Sequence, residues 1–155
     1  MKKNILCIVL FLLIFAVLLV TAAGDTLVVG VATDMTGMDP HQQIAFTSLK
    51  VLELMNGKLV DVNENMEVVP SMAESWEWSE DGMHLTMHLV PEMTFHDGSP
   101  VTSADVKYSF ERILNEDTAA AARSKFTAIS SIDTPDDLTV VFNFSEKNVA
   151  ILVDM

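Results

Sequence analysis

Apolar and polar positions alternate without a slip over residues 83–89. Met83, Leu85, Met87 and Leu89 fall on one side of an extended chain, with His84, Thr86 and His88 on the other. A period of two predicts a half-buried strand. The Ser79-Glu80-Asp81-Gly82 turn signal ahead of it makes it the second strand of a hairpin whose first carries Trp76 and Trp78. A second hairpin is expected downstream, with strands over 128–132 and 138–144 joined through 133–137, where Pro135 is well placed as the second residue of a turn. Between the hairpins the period becomes that of a helix. Val106, Phe110, Ile113 and Leu114 form one apolar stripe, while Lys107, Ser109 and Glu111 are expected to face outward. Thr102 and Asp105 have the spacing of a capping box, and Val101 and Val106 that of a hydrophobic staple. The pattern predicts another helix over 118–126.

Towards the N-terminus the texture differs. Residues 26–32, TLVVGVA, make a short β-branched run that suits a buried strand. A loop over 34–40 follows, punctuated by Gly37 and Pro40. Leu49, Leu52 and Met55 then recur at helical spacing over 46–55, and Asn56-Gly57 supplies the stop. Strand, loop and helix in that order are half of a βαβ unit. Ahead of them, Lys2 and Lys3, a charge-free apolar run over 5–20 and the small residues 21–24 have the layout of a secretory signal, with cleavage expected after Ala22 or Ala23. The rival reading is an uncleaved anchor, although the run falls short of the roughly 20 residues a spanning helix needs.

Charge and cysteine usage narrow the function classes. The 155 residues carry 22 acidic and nine basic side chains, and two of the nine lie in the signal segment. So acidic a surface repels phosphate backbones, which argues against nucleic acid as a partner. The single cysteine, Cys7, sits inside the apolar run, so it cannot become a lipid-modified N-terminus. Disulfides, thiolate catalysis and cysteine-held zinc are thereby excluded from the processed chain. What remains has the length of one small domain with its own core.

The densest local signal is FHDGSPVTSADVKYSFERIL, residues 95–114, where Asp97-Gly98 turns an extended segment into a capped helix. Its residues serve geometry rather than reactivity. His96 and Asp97 are the one acid/base pair there for a secreted hydrolase to use, but turn neighbours point apart and no spacing specifies a nucleophile. His84 and His88 share a strand face four residues apart, about 13 Å at ~3.3 Å per residue, too far for one metal ion. Trp76 and Trp78 share a face suited to packing before ligand stacking, and the scattered methionines fit gap-filling rather than soft-metal binding. No metal or other cofactor is expected.

Residues 76–112, WEWSEDGMHLTMHLVPEMTFHDGSPVTSADVKYSFER, resemble the signature region of the family 5 extracytoplasmic solute-binding proteins, the dipeptide, oligopeptide and nickel receptors of ABC importers. PSMAESW (70–76), MDPH (38–41) and IDTPDDLTVVFNF (132–144) extend the likeness over most of the chain beyond the signal segment. Two departures stand out: Val90-Pro91-Glu92-Met93 replaces a basic, glycine-containing pair, and the chain is several times shorter than family members. The resemblance implies an α/β protein, α+β within this chain, with the N-terminal portion of a periplasmic-binding-protein-like class II fold. It implies a signal peptide at 1–23, the start of a first α/β lobe at 24–58, and a truncated, hairpin-rich inserted domain at 59–155. It also implies an extracytoplasmic, non-enzymatic receptor that closes on a peptide or similar small solute by hinge motion and delivers it to membrane permease subunits. Gln42, Gln43 and Phe46, on the loop and helix start after the first strand, are the candidate ligand contacts. The alternatives are a secreted hydrolase using His96 and Asp97 and a membrane-anchored interaction module.

Overall fold

The computed structural model describes residues 27–148 and 150–155. The signal segment and Cys7 lie outside these. Residues 27–31 belong to one compact unit and Ala32–Met155 to another.

In the second unit, helix α1 (Phe46–Glu53) is followed by the short hairpin β1 (Val60–Val62) and β2 (Val68–Pro70), then by strands β3 (Ala73–Trp78) and β4 (His84–Leu89). Helix α2 (Ser103–Leu114), a 3₁₀ turn (Glu116–Thr118) and helix α3 (Arg123–Phe126) lead to β5 (Ile129–Asp136), β6 (Thr139–Phe144) and helix α4 (Ile151–Asp154). The larger sheet is antiparallel throughout, in the order β3-β4-β6-β5.

Residues directly opposite one another in an antiparallel pair share a face, so the register explains the core. Trp76 faces Met87, Trp78 faces Leu85, Leu85 faces Phe142, and Met87 faces Val140. Leu85, Met87, Val140 and Phe142 are fully buried, as the alternation over 83–89 predicts. Trp78 lies against Phe144 with ring centroids 5.5 Å apart, which commits the tryptophan face to packing. Helix α2 covers this face with Val106, Phe110 and Ile113, all buried. Phe110 meets Phe142 and Phe126 edge-on at 4.9 and 5.3 Å, the geometry favoured by the ring quadrupoles.

The start of α2 is tied down twice. Asp105 Oδ2 accepts the Thr102 N–H and the Thr102 hydroxyl, both at 2.8 Å, the reach-back expected of the box. One residue on, the buried Ser103 donates its N–H to the Asp137 carbonyl at 2.8 Å and its hydroxyl to the Asp136 carbonyl. The helix start is thus clasped to the turn of the β5-β6 hairpin. Asp97 and Gly98 form the expected turn, with Gly98 at φ +85. Lys107 and Ser109 are half-buried rather than fully outward, and Ser109 reaches a cavity described below.

Three expectations need correction. Residues 27–31 form no strand, and Leu27, Val28 and Val29 are 70% or more exposed. Strands need a paired neighbour, and among the described residues none pairs with this run. The second hairpin turns at Asp137-Leu138, because β5 runs on through Pro135 to Asp136. Proline is tolerated there because β5 is an edge strand with an irregular register between Asp133 and Asp136. The helix expected over 118–126 is split: Ala119 adopts φ +51 in the left-handed region, ending the 3₁₀ turn, and α3 starts only at Arg123.

Candidate functional site

The segment that carries the candidate residues is built around Asp39. Its carbonyl accepts the N–H groups of Gln42 and Gln43 at 3.2 Å, and its Oδ1 accepts the His41 N–H at 3.0 Å. Proline at position 40 suits the first position of such a turn. The Asp39 carboxylate also receives both arms of the Arg112 guanidinium, Nη1 to Oδ1 at 3.0 Å and Nη2 to Oδ2. Arg112 Nη1 lies 2.7 Å from His41 Nδ1 as well. The Ala121 N–H donates to the His41 carbonyl at 2.8 Å, and the Gln42 side-chain amide donates to the Thr118 carbonyl at 2.9 Å. The loop is therefore fastened to the last turn of α2 and to the 3₁₀-α3 connection.

On its other side the same loop is tied to α1. The Thr36 N–H donates to the buried Ser48 Oγ at 3.0 Å, and the Thr36 hydroxyl donates to Gln43 Oε1 at 2.8 Å. The Gln43 amide lies over Gly37 so closely that a Cβ there would stand 2.4 Å from Nε2. A larger residue at 37 would push the Gln43 amide out of this position. Helix α1 ends as Asn56-Gly57 predicts: the Asn56 N–H and side-chain amide both reach the Leu52 carbonyl, at 2.9 and 2.8 Å. Gly57 admits Met72, whose Sδ a Cβ would approach to 2.3 Å.

Electrostatics follow the geometry. The Arg112 hydrogen bond holds the Asp39 carboxyl below its ordinary value, and burial opposes this only in part. Burial and then the Arg112 charge push His41 down, with Asp39 acting the other way. Glu53 is also held down, by Lys58 at 2.8 Å and Lys50 at 3.2 Å.

Gln42, Gln43 and Phe46 are not gathered at one point. Gln42 is engaged with the 3₁₀ turn and Gln43 with Thr36 and Gly37. Phe46 is 74% exposed, with Lys50 Nζ 5.5 Å from its ring centroid. It lines a groove of about 410 Å³ together with Pro40, Leu49, Leu52 and Asn56, whereas neither glutamine does. A second cavity of about 370 Å³ runs beneath α2 between Leu59, Met72, Phe110 and Phe126, with His41, Asp105 and Ser109 at its polar side. Elsewhere, Asp97 Oδ1 is occupied by the Ser99 N–H and hydroxyl at 2.9 and 2.7 Å, a turn closure. Among the described residues no group of three His, Cys, Asp or Glu is placed to hold a metal ion.

The family model for bacterial extracellular solute-binding proteins, family 5 Middle, matches residues 67–154. The chain belongs to this family. Among relatives of the family 5 chain, the glutathione-binding protein GsiB of Pectobacterium atrosepticum is 32% identical over 121 residues, 78% of this chain and 23% of its own length. The probable D,D-dipeptide-binding periplasmic protein DdpA of Escherichia coli is 34% identical over 127 residues, 79% of this chain and 24% of its own. Among solved structures, NikZ of Campylobacter jejuni in complex with Ni(L-His) superposes with a TM-score of 0.70 at 25% identity, covering 77% of this chain and 24% of that one. The family 5 chain thus spans about a quarter of the length of each of these two relatives. The mixed α+β arrangement is a portion of the class II periplasmic-binding-protein fold.

The Asp39–Arg112 pair was not legible as a pair, although both residues lie in segments that resemble the family, MDPH and FER. They stand 73 positions apart. The one signal available was the scarcity of basic residues, which makes each arginine on a helix face worth matching to a distant carboxylate.

Proposed function

We propose that this chain is part of the extracytoplasmic solute-binding component of an ABC importer, binding a peptide or a similar small solute and presenting it to membrane permease subunits without chemical change. The observation that carries this reading is the family 5 match over residues 67–154, on a fold shared with the solute-bound NikZ. Residues 1–23 act as the export signal in this reading. Residues 24–58 open the first lobe and 59–155 form the inserted domain. Gln42, Gln43 and Phe46 provide solute contacts at the lobe's rim, the two glutamines from a loop held on both flanks and Phe46 as the exposed ring at the start of α1. To reach a solute the two side-chain amides exchange their bonds to Thr118 and Thr36 for bonds to a peptide backbone, and the ring supplies apolar area.

The test is an NMR titration of the 155-residue chain with di- to pentapeptides. Perturbation of the Gln42, Gln43 and Phe46 amides, reduced by Phe46→Ala, is the expected result. Peptide-induced shifts confined to other parts of the chain, or none at millimolar peptide, would overturn the placement of the site.

A further inference from the structure

We propose that Arg112 is a positioning residue for the loop over 36–45, and that His41 makes its hold proton-sensitive, so that protonating His41 loosens the loop from α2. A guanidinium has donors and no acceptor. For Arg112 Nη1 to bond His41 Nδ1 at 2.7 Å, that nitrogen must present its lone pair, so His41 is neutral with its proton on Nε2. Protonating Nδ1 would set an N–H against an N–H and two positive charges against each other. The contact cannot survive that in its present form.

The charges around the imidazole decide which way it responds. From α2 it meets Arg112, which in turn feels Tyr108. From its own loop it meets Asp39, already paired bidentately with Arg112 and so partly neutralised. From the 3₁₀-α3 connection the contacts are backbone, through Ala121, and the charges Glu116 and Arg123 are paired with each other at 2.8 Å. Asp105 and Asp154 line the same cavity as His41 without bonding it. Burial and then the Arg112 charge in direct contact with Nδ1 favour the neutral ring, Asp39 offsets them only in part, and His41 is held below its ordinary value of 6.5 accordingly. The unfolded or released loop binds that proton more readily. Attachment is therefore complete above about pH 6.5 and weakens as pH falls towards the lower value of the docked state. Because the His41 carbonyl holds the Ala121 amide, and the adjacent Gln42 and Gln43 are the candidate solute contacts, the hold bears directly on the site.

Two readouts on the 155-residue chain test this without any solute, so the result is independent of the solute-binding reading, which the peptide titration addresses. The His41 ring titration followed by NMR is expected below 6.5, and Arg112→Met is expected to move it upward because the cation is removed while Asp39 remains. Ala121 amide exchange, corrected for its intrinsic pH dependence, is expected to lose protection as the pH falls through the His41 titration. In His41→Asn, which keeps an acceptor at the δ position but does not titrate, that loss disappears while the protection at pH 8 is retained. A His41 ring titrating at or above 6.5 in the unmodified chain would overturn the proposal. So would equal pH dependence of Ala121 protection in the unmodified chain and His41→Asn.

Discussion

The sheet with its covering helix and the loop-α1 segment are held by different forces. Over the sheet, Leu85, Met87, Val140 and Phe142 are removed from water altogether, and α2 adds Val106, Phe110 and Ile113. Along α1 only Ser48 and Leu52 are buried, while Ile44, Phe46 and Leu54 are more than 70% exposed. What fastens that segment is polar: Asp39 to Arg112, His41 to Ala121, Gln42 to Thr118 and Thr36 to Ser48. Apolar burial neither titrates nor is screened, whereas partly exposed ion pairs respond to pH and to ionic strength. Stability therefore resides in one region and responsiveness in the other.

The largest effect should come from the centre of the sheet. Phe142→Ala removes a fully buried ring that meets Phe110 edge-on, and a loss of about 3–5 kcal/mol is expected in urea unfolding. A loss below about 1 kcal/mol would mean the core is not where the two-residue period puts it. The next test lies where the two regions meet. Gly57→Ala drives a Cβ into Met72, and such overpacking costs about 1–3 kcal/mol. In a Met72→Ala background the same substitution should cost much less, and that non-additivity is the measurement that locates the contact.

The same division explains what could be read in advance. The period-two run over 83–89 and the stripe Val106, Phe110, Ile113 were legible because each element's own spacing reports the face it buries. The 26–32 run reads as a strand because an apolar β-branched stretch announces a willingness to pair, while the pairing strand is a separate fact. Local rules put Pro135 in the turn because they cannot see that β5 is an edge strand, where a missing N–H costs little. Ala119 reads as helical because alanine favours a helix, and nothing local foretells its left-handed backbone. At the candidate site the residues were legible as a polar loop with an aromatic, but their fastening was not. It depends on a pair 73 positions apart.

A smaller effect is expected at the helix start. Asp105→Ala removes the oxygen that accepts the Thr102 amide and hydroxyl, costing about 1 kcal/mol by analogy with other lost caps. The loss should appear in global unfolding, because α2 covers the sheet. If it appeared only as local exchange at Ser103 and Ala104, the clasp between Ser103 and the Asp136-Asp137 turn would be the stronger anchor.

The smallest effect, and the most selective, concerns Asp39. Arg112 holds its carboxyl below the ordinary 3.8, so the docked loop keeps Asp39 ionised more firmly than the released one. A depressed carboxyl contributes attachment that is present above about pH 3.8 and is lost as pH falls through the lower docked value. Asp81, Asp97 and Asp136 are also depressed, chiefly by Ser79, Ser99 and Leu138, partners within two residues of each. Those turn carboxylates share the acid window, so a global acid titration cannot separate them from Asp39. Location can. Asp39→Asn should lower Ala121 protection at pH 7, and the gap to the unmodified chain should close below pH 3.8, with the sheet amides unmoved in both. Added salt should narrow the gap at pH 7 as well, because the pair is about 30% exposed. A gap that stayed constant through the acid range would mean that Asp39 acts through its turn geometry alone, and that the loop is held by backbone contacts rather than by charge.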